Sequence, residues 1–253
     1  MAAKKPFPKI RFFSDCLKYA EPRPAPEATK GKGPYGTRLS KALGVFVANG
    51  LRKDFKGILP LPDGTGSESR ARTAKGFKKL DVNHSTVELG LALGVSIKTI
   101  NYRDPSTKRY TKNYSRVDNE LRAEAMDYHQ RQPFSVLVGL LFLPVDAADD
   151  AGKGTGEDAK AGLSSFAAAV KYFRTRSPRE GPRDALDLFE GFYIGLYGFV
   201  GNERGELVFF DVKQAPPRAR RPKPQEALSY EDVLARIRTV YDSRNNPPFE
   251  WVD

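Results

Sequence analysis

The segment LALGVSIKTINY, residues 91–102, combines the pattern of a buried strand with a lysine near its middle. Val95 and Ile97 are β-branched, which favours a strand, yet Lys98 follows Ser96 by two positions. Because side chains alternate between the two faces of a strand, Ser96 and Lys98 point to the same face. An ammonium group there can orient an attacking water or offset the charge of a pentavalent phosphate transition state.

A carboxylate is expected directly across from Ser96. The segment KKLDVNHS, residues 78–85, is a short strand candidate, and with 91–102 it predicts a hairpin whose turn is centred near residues 88 and 89. Asp81 and Ser96 are equally far from that centre and therefore face each other. A carboxylate beside a lysine suits metal-assisted phosphodiester hydrolysis, because Mg²⁺ takes oxygen ligands and activates water.

Asp81 and the tripeptide Ser-Ile-Lys at 96–98 resemble the active-site pattern of the PD-(D/E)XK nuclease superfamily. Ser96 departs from that pattern, because it stands where a second acid belongs and a hydroxyl is a poor Mg²⁺ ligand. Glu88 is the nearest acid in sequence, but at the hairpin tip it would lie roughly 20 Å from Asp81. The second carboxylate is therefore expected from elsewhere in the chain.

The helix predicted after a basic loop supplies that carboxylate. It reads RVDNELRAE over residues 116–124. An S-x-K strand followed by R-x-D and R-x-E is similar to the CCGG-family (NgoMIV-like) restriction endonucleases. The resemblance implies that Asp81 and Glu124 bind Mg²⁺ and that Lys98 positions the nucleophile. Ser96 would lie beside them in the catalytic cluster without ligating the metal.

Further residues around this cluster have the chemistry of a DNA interface. The resemblance places Arg116 and Asp118 where the family reads bases, and the two side chains can pair with guanine and cytosine respectively. The loop RDPSTKRYTKNY, residues 103–114, adds cations, amides and rings suited to phosphates and groove edges. The predicted DNA-contacting residues are Arg109, Lys112, Asn113, Arg116, Asp118, Asn119 and Arg122.

The overall composition agrees with a nucleic-acid partner. The 253 residues contain 42 Lys and Arg against 31 Asp and Glu, a net charge of +11 that suits a polyanion. One cysteine excludes an internal disulfide and a Cys-based metal site, and two histidines argue against zinc. No apolar run approaches a membrane span and the N-terminus lacks a signal-peptide pattern, so a cytoplasmic protein is expected.

Residues 1–34 are basic and proline-rich and predict a mobile N-terminal arm or an extended lead-in, whereas residues 35–253 predict one nuclease domain ending in a helix. A loop is expected at 60–76. Helices are predicted at 37–55, 115–131 with Ser115 as N-cap, 165–175, and 230–244 with Ser229 as N-cap. Strands are predicted within 133–146, 189–199 and 206–212. This order indicates an α/β fold, and the resemblance implies a restriction-endonuclease-like central mixed sheet flanked by helices.

Other interpretations of the same residues remain open. Lys98 could be a surface lysine that protects an edge strand, Asp81 a turn residue, and Glu124 an ordinary exposed helix charge. The favoured interpretation is a Mg²⁺-dependent DNA endonuclease of the restriction type. Cutting both strands of a duplex requires two sites, so a homodimer or tetramer is expected. The rivals are a catalytically inactive DNA-binding module of the same fold and an RNA-binding protein.

Overall fold

A five-stranded mixed sheet with helices on both faces forms the centre of the molecule. A computed structural model describes residues 7–86 and 90–245. The helices are α1 (Phe13–Ala20), α2 (Lys32–Leu51), α3 (Tyr114–Arg131), α4 (Glu157–Lys160), α5 (Ser165–Phe173) and α6 (Tyr230–Arg244). The strands are β1 (Ser69–Thr73), β2 (Gly76–Leu80), β3 (Val82–Thr86), β4 (Gly90–Thr99), β5 (Val136–Pro144), β6 (Gly191–Tyr197) and β7 (Leu207–Asp211).

The strand order in the sheet is β3-β4-β5-β6-β7, and β1 pairs with β2 in a separate antiparallel sheet. β4, β5 and β6 are parallel, whereas the edge strands β3 and β7 are antiparallel to their neighbours. Parallel neighbours need long crossover connections, which contain α3 and α5 here. The mixed α/β class predicted from the sequence is confirmed. Within the described residues, no helix has both the length and the apolar character that a membrane span requires.

β5 is the centre of two hydrophobic cores. All nine of its residues are buried, which confirms the prediction of a strand covered on both faces. Val138 and Phe142 belong to the core that contains residues of α1, α2 and α6. Leu137 and Leu141 point the other way, into the core that contains residues of α3 and α5. The sheet therefore holds α3, which carries Glu124, against one defined face.

The predicted N-terminal arm is wrong for residues 7–34. Phe13, Cys16 and Leu17 of α1 are buried in the same core as α2, and α2 already begins at Lys32. Proline and lysine around α1 hid its short apolar face, which spans only two turns. Burial also raises the pKa of the Cys16 thiol, so this side chain is a core residue without reactive character.

The N-terminus of α6 has the predicted side-chain cap, whereas the N-terminus of α3 does not. Ser229 caps α6 as predicted, because its Oγ accepts from Asp232 N at 3.1 Å while Asp232 Oδ2 accepts from Ser229 N at 2.8 Å. α3 instead begins at Tyr114 with Asn113 as its N-cap, which makes no side-chain capping hydrogen bond. The predicted N-cap role of Ser115 is therefore wrong.

The predicted loop at 60–76 contains β1, and the predicted strand at 78–85 is divided between β2 and β3. The dividing residue is Asp81, which lies between the two strands. β1 escaped prediction because Ser-Arg-Ala-Arg-Thr has the polar composition of a loop and no apolar alternation.

Candidate functional site

The predicted pairing of Asp81 with the S-x-K strand is confirmed. β3 and β4 are antiparallel with Val82 opposite Val95, which places Asp81 at the position across from Ser96. Asp81 Oδ2 accepts a hydrogen bond from the Ile97 N–H at 2.7 Å. The carboxylate is therefore held by the backbone of the strand that carries Lys98. Glu88, the rejected second acid, lies outside the described residues.

Glu124 joins Ser96 and Lys98 from the neighbouring helix. Ser96 Oγ donates to Glu124 Oε2 at 2.7 Å, and Lys98 Nζ donates to Glu124 Oε1 at 2.9 Å. Ser96 and Lys98 thus share a face, as the strand periodicity predicts. The packing of α3 against β4 therefore brings the Glu124 carboxylate to the Lys98 ammonium, although the two residues are 26 positions apart in the chain. The four predicted catalytic side chains lie together.

The electrostatics of the cluster follow from burial and these short contacts. Burial raises the pKa of Asp81 to about 6, the negative charge of Glu124 acts in the same direction, and the Ile97 N–H and Lys98 oppose it. Burial acts to lower the pKa of Lys98, but the charge and hydrogen bond of Glu124 outweigh it and leave the pKa above its ordinary value. Lys98 is therefore an ammonium at neutral pH, able to donate hydrogen bonds and unable to act as a base.

These side chains line an open pocket of about 660 Å³, called the site pocket below. Its walls come from α2, from the end of β2, from β4 and from α3. Besides Asp81, Lys98 and Glu124, the lining includes Thr37, Ser40, Lys41, Glu68, Lys79, Arg116 and Glu120. The lining thus combines four cations, Lys41, Lys79, Lys98 and Arg116, with four carboxylates, Glu68, Asp81, Glu120 and Glu124.

Asp81 and Glu124 provide carboxylate oxygens, the kind of donor that could hold a hard divalent cation such as Mg²⁺. Mg²⁺ is usually held by one or two carboxylates and keeps several waters. In the described part of the chain, Asp81 Oδ1 accepts no hydrogen bond, so one oxygen of the buried carboxylate is open to a ligand. Among those same residues, no group of three His, Cys, Asp or Glu side chains could form a metal cage.

Glu120 is a neighbour of the site that the sequence did not single out. Its Oε2 lies 3.6 Å from Lys98 Nζ, and its Oε1 accepts from Arg116 Nη1 at 2.6 Å. Residues 116, 120 and 124 repeat every four positions and therefore share one face of α3. That spacing was the available signal, because the residue four positions before Glu124 lies on the same face of α3.

Arg109 is a correction to the predicted DNA interface. Its side chain is 1% exposed, and its guanidinium donates to the carbonyl oxygens of Asp150, Lys153 and Leu163 at 3.0, 3.1 and 2.8 Å. A group enclosed in this way cannot reach a nucleic acid. Arg109 stabilises the loop that precedes α5.

Asp118 and Arg122 are also placed away from the site. Asp118 is buried and lies 2.9 Å from Arg176 Nε, and Arg122 Nε donates to Asp187 at 3.0 Å. At 100° per residue, Asp118 lies about 200° around α3 from Arg116. The base-reading role predicted for Asp118 is therefore wrong, and Arg122 lies on the face of α3 opposite the site pocket.

The other predicted DNA contacts are exposed. Lys112, Asn113, Arg116 and Asn119 all reach solvent, although Lys112 Nζ is paired with Asp104 at 2.6 Å. Of these four residues, Arg116 is the one that lines the site pocket.

A larger cavity of about 1180 Å³ lies elsewhere, where the parallel strands β4, β5 and β6 end. Arg23 packs over the Phe199 ring there, 3.6 Å from its centroid. The larger volume does not identify the chemical centre, because the paired carboxylates and Lys98 all line the smaller site pocket. Comparisons with protein-family models, with curated proteins and with solved structures gave no match.

Proposed function

We propose that this protein is a Mg²⁺-dependent endonuclease that hydrolyses phosphodiester bonds in duplex DNA, as a type II restriction enzyme or a related DNA-defence nuclease. The observation that carries the proposal is the convergence on Glu124 of Ser96 Oγ and Lys98 Nζ, beside an Asp81 carboxylate fixed by the Ile97 N–H. Two carboxylates and an ammonium in one pocket are what this chemistry requires. In this proposal, the five-stranded sheet and its helices are a restriction-endonuclease-like fold.

Each side chain has a role that follows from its charge. Asp81 and Glu124 would hold Mg²⁺, which when bound polarises the phosphate and activates water. Lys98 remains protonated, so it would donate hydrogen bonds and offset charge that develops on the phosphate. Glu124 also fixes the direction of the Lys98 ammonium, and Ser96 fixes the Glu124 carboxylate. Lys41, Lys79 and Arg116 line the pocket and would bind neighbouring phosphates.

The direct test incubates supercoiled plasmid with the purified protein in Mg²⁺, with EDTA as the control. We expect nicked and linear products in Mg²⁺ and none in EDTA. Equal yields in both conditions would reject metal-dependent hydrolysis. Restriction would also give discrete fragments from a longer DNA, whereas a nonspecific nuclease would give a smear.

One observation favours the alternative of a catalytically inactive DNA-binding module. Both oxygens of Glu124 already accept hydrogen bonds from Ser96 and Lys98, so a metal would have to compete with these contacts or add to them. Metal-dependent cleavage distinguishes the nuclease from the inactive DNA-binding module. Duplex binding with no cleavage in either Mg²⁺ or Mn²⁺ would favour the inactive module.

The proposal includes a cytoplasmic homodimer or tetramer, because cleavage of both strands requires two sites related by symmetry. Light scattering of the protein with and without a duplex would measure the assembly. A protein that stays monomeric on DNA and still cuts both strands would remove this part of the proposal.

A further inference from the structure

The antiparallel pair β1 and β2, here called the ribbon (residues 69–80), has two different faces. Ala71, Thr73 and Leu80 point inward and are buried. The outward side chains are Arg70, Arg72, Phe77 and Lys79, all of them exposed. The sequence predicted a loop for most of this segment, so no function was assigned to it.

The strand register concentrates positive charge on the outward face. Arg70 is paired directly with Lys79, and Arg72 is paired with Phe77. Like charges directly opposite each other destabilise a sheet. The twelve residues of the ribbon include no acid, so repulsion between Arg70 and Lys79 is not relieved from within it. Such a surface is stabilised by an external anion.

The described residues provide few counter-charges for this face. Lys79 pairs with Glu68 at 2.7 Å, but both side chains are 59% exposed, and such pairs contribute little in water. Neither Arg70 nor Arg72 has an ion pair with any acid in the described ranges. The Arg72 guanidinium lies 5.6 Å from the centroid of the Phe77 ring. Arg70 and Arg72 are therefore available to bind phosphates.

Phe77 is the apolar member of the same face, with 61% of its surface exposed. An isolated exposed aromatic residue needs no explanation. Here the Phe77 ring lies beside Arg72 on a face that also carries Arg70 and Lys79. Nucleic-acid-binding surfaces have this combination, in which cations contact phosphates and an apolar side chain contacts sugars or bases.

The ribbon is fixed in position relative to the site. Tyr128 of α3 donates its hydroxyl to Lys78 O at 2.9 Å, Lys78 Nζ pairs with Asp127 at 2.5 Å, and Ala74 N donates to Asp127 O at 3.0 Å. α3 also carries Glu124. Lys79 is on the outward face and also lines the site pocket, so the outward face continues into the pocket.

We propose that the outward face of the ribbon is a binding surface for duplex DNA next to the site pocket. Arg70, Arg72 and Lys79 bind phosphates, and Phe77 contacts the groove. A two-stranded ribbon has the width that the major groove admits. The inference rests on the proposed function in taking duplex DNA as the ligand, but it concerns binding and needs no cleavage.

The test measures binding of a fluorescein-labelled duplex by fluorescence anisotropy in EDTA, between about 50 and 200 mM salt. Arg70→Ala and Arg72→Ala are expected to weaken binding on every sequence, and each lowers the slope of log K against log salt by about 0.9. Phe77→Ala weakens binding and leaves the slope unchanged, because it removes no charge. Lys213→Ala is the matched control, since Lys213 is exposed just after β7, at the opposite edge of the sheet.

The outcomes distinguish this inference from the proposed function. Binding by the three ribbon variants equal to that of the control overturns the inference, and so does a wild-type protein that binds no duplex. Tighter ribbon-dependent binding of single-stranded RNA than of duplex would overturn the assignment to duplex DNA. Ribbon-dependent duplex binding without cleavage in Mg²⁺ supports the inference and rejects the nuclease. Circular dichroism of each variant confirms folding.

Discussion

Lys98 Nζ lies 2.9 Å from Glu124 Oε1, and the same carboxylate accepts from Ser96 through its other oxygen. A strand residue and a helix residue 26 positions apart are thereby joined in one ion pair. The contact fixes the direction of the ammonium, whereas the hydrophobic core holds α3 against the sheet. The geometry of the site therefore depends on a contact that the fold does not need.

Replacing Lys98 is expected to abolish DNA cleavage without unfolding the protein. Lys98→Met keeps the aliphatic length and removes the charge, and loss of one such stabilising donor costs about 100-fold or more in rate. Gel analysis of plasmid cleavage measures the effect, with duplex affinity expected to stay near wild type. The control is Lys213→Met, which removes an exposed lysine just after β7, at the opposite edge of the sheet. Equal rates for the two variants would contradict the role of Lys98.

Glu124 and Glu120 are expected to differ, although both lie near Lys98. Glu124→Gln removes the charge that holds the ammonium and a proposed metal ligand, so cleavage should be lost. Glu120→Gln should have a mild effect, because Glu120 is 42% exposed and lies 3.6 Å from Lys98 Nζ. Cleavage rates of the two isosteric variants decide this. A larger loss of cleavage for Glu120→Gln than for Glu124→Gln would show that Glu124 is not the second acid of the site.

Arg109 is expected to contribute to the stability of the fold and not to DNA binding. Arg109→Ala leaves the carbonyl oxygens of Asp150, Lys153 and Leu163 without their donor, which predicts a loss of about 3 kcal/mol or more in the free energy of unfolding. Lys112→Ala is the control from the same basic loop, with 61% of its side chain exposed, and should change stability by about 1 kcal/mol or less, because it removes one ion pair at the surface. Urea denaturation measures both. A stable Arg109→Ala protein with weakened DNA binding would restore the interpretation that the sequence suggested.

Glu190 should make the protein sensitive to acid. It accepts from Arg179 and Arg244 at 2.9 and 2.8 Å and lies 3.5 Å from His129. Burial acts to raise the pKa of Glu190, but His129, the Leu137 N–H and Arg179 outweigh burial and leave the pKa below its ordinary value. Its stabilisation is therefore complete above the ordinary carboxyl pKa and is lost as the pH falls through the lowered folded-state pKa.

Thermal denaturation across the acidic range tests this account of Glu190. The wild type should lose stability steeply toward low pH, and Glu190→Gln should be less stable at neutral pH with a shallower decline. A Glu190→Gln profile parallel to that of the wild type would show that other carboxylates cause the acid sensitivity.

The sequence predicted the parts of the site that depend on local periodicity. The face shared by Ser96 and Lys98 follows from the two-residue repeat of a strand, and the position of Asp81 follows from counting back across a hairpin. Glu124 came from a family resemblance, and the structure places its carboxylate against Lys98. The relationships among Asp81, Ser96 and Lys98 involve only two neighbouring strands and the turn between them, so they can be predicted from local sequence.

The remaining features depend on partners far along the chain. Loop residues 150–163 accept the hydrogen bonds of the buried Arg109 guanidinium, and Arg176 lies beside the buried Asp118. Neither contact leaves a pattern near the residue itself. α1 and β1 were missed because each is short and its polar or proline-rich composition is typical of a loop. Tertiary packing stabilises α1 and strand pairing stabilises β1, whereas the local helix and strand propensities of these segments are low.

The most direct test of the proposed centre is linearisation of supercoiled plasmid in saturating Mg²⁺ by wild type and by Asp81→Asn. The amide oxygen can still accept from the Ile97 N–H, so the fold should be preserved while the charge on the metal ligand is removed. Asp63→Asn, in an exposed loop turn, is the control. Linear product is expected from the wild type and from Asp63→Asn, and none from Asp81→Asn. Linearisation by Asp81→Asn at the wild-type rate would contradict the proposed centre.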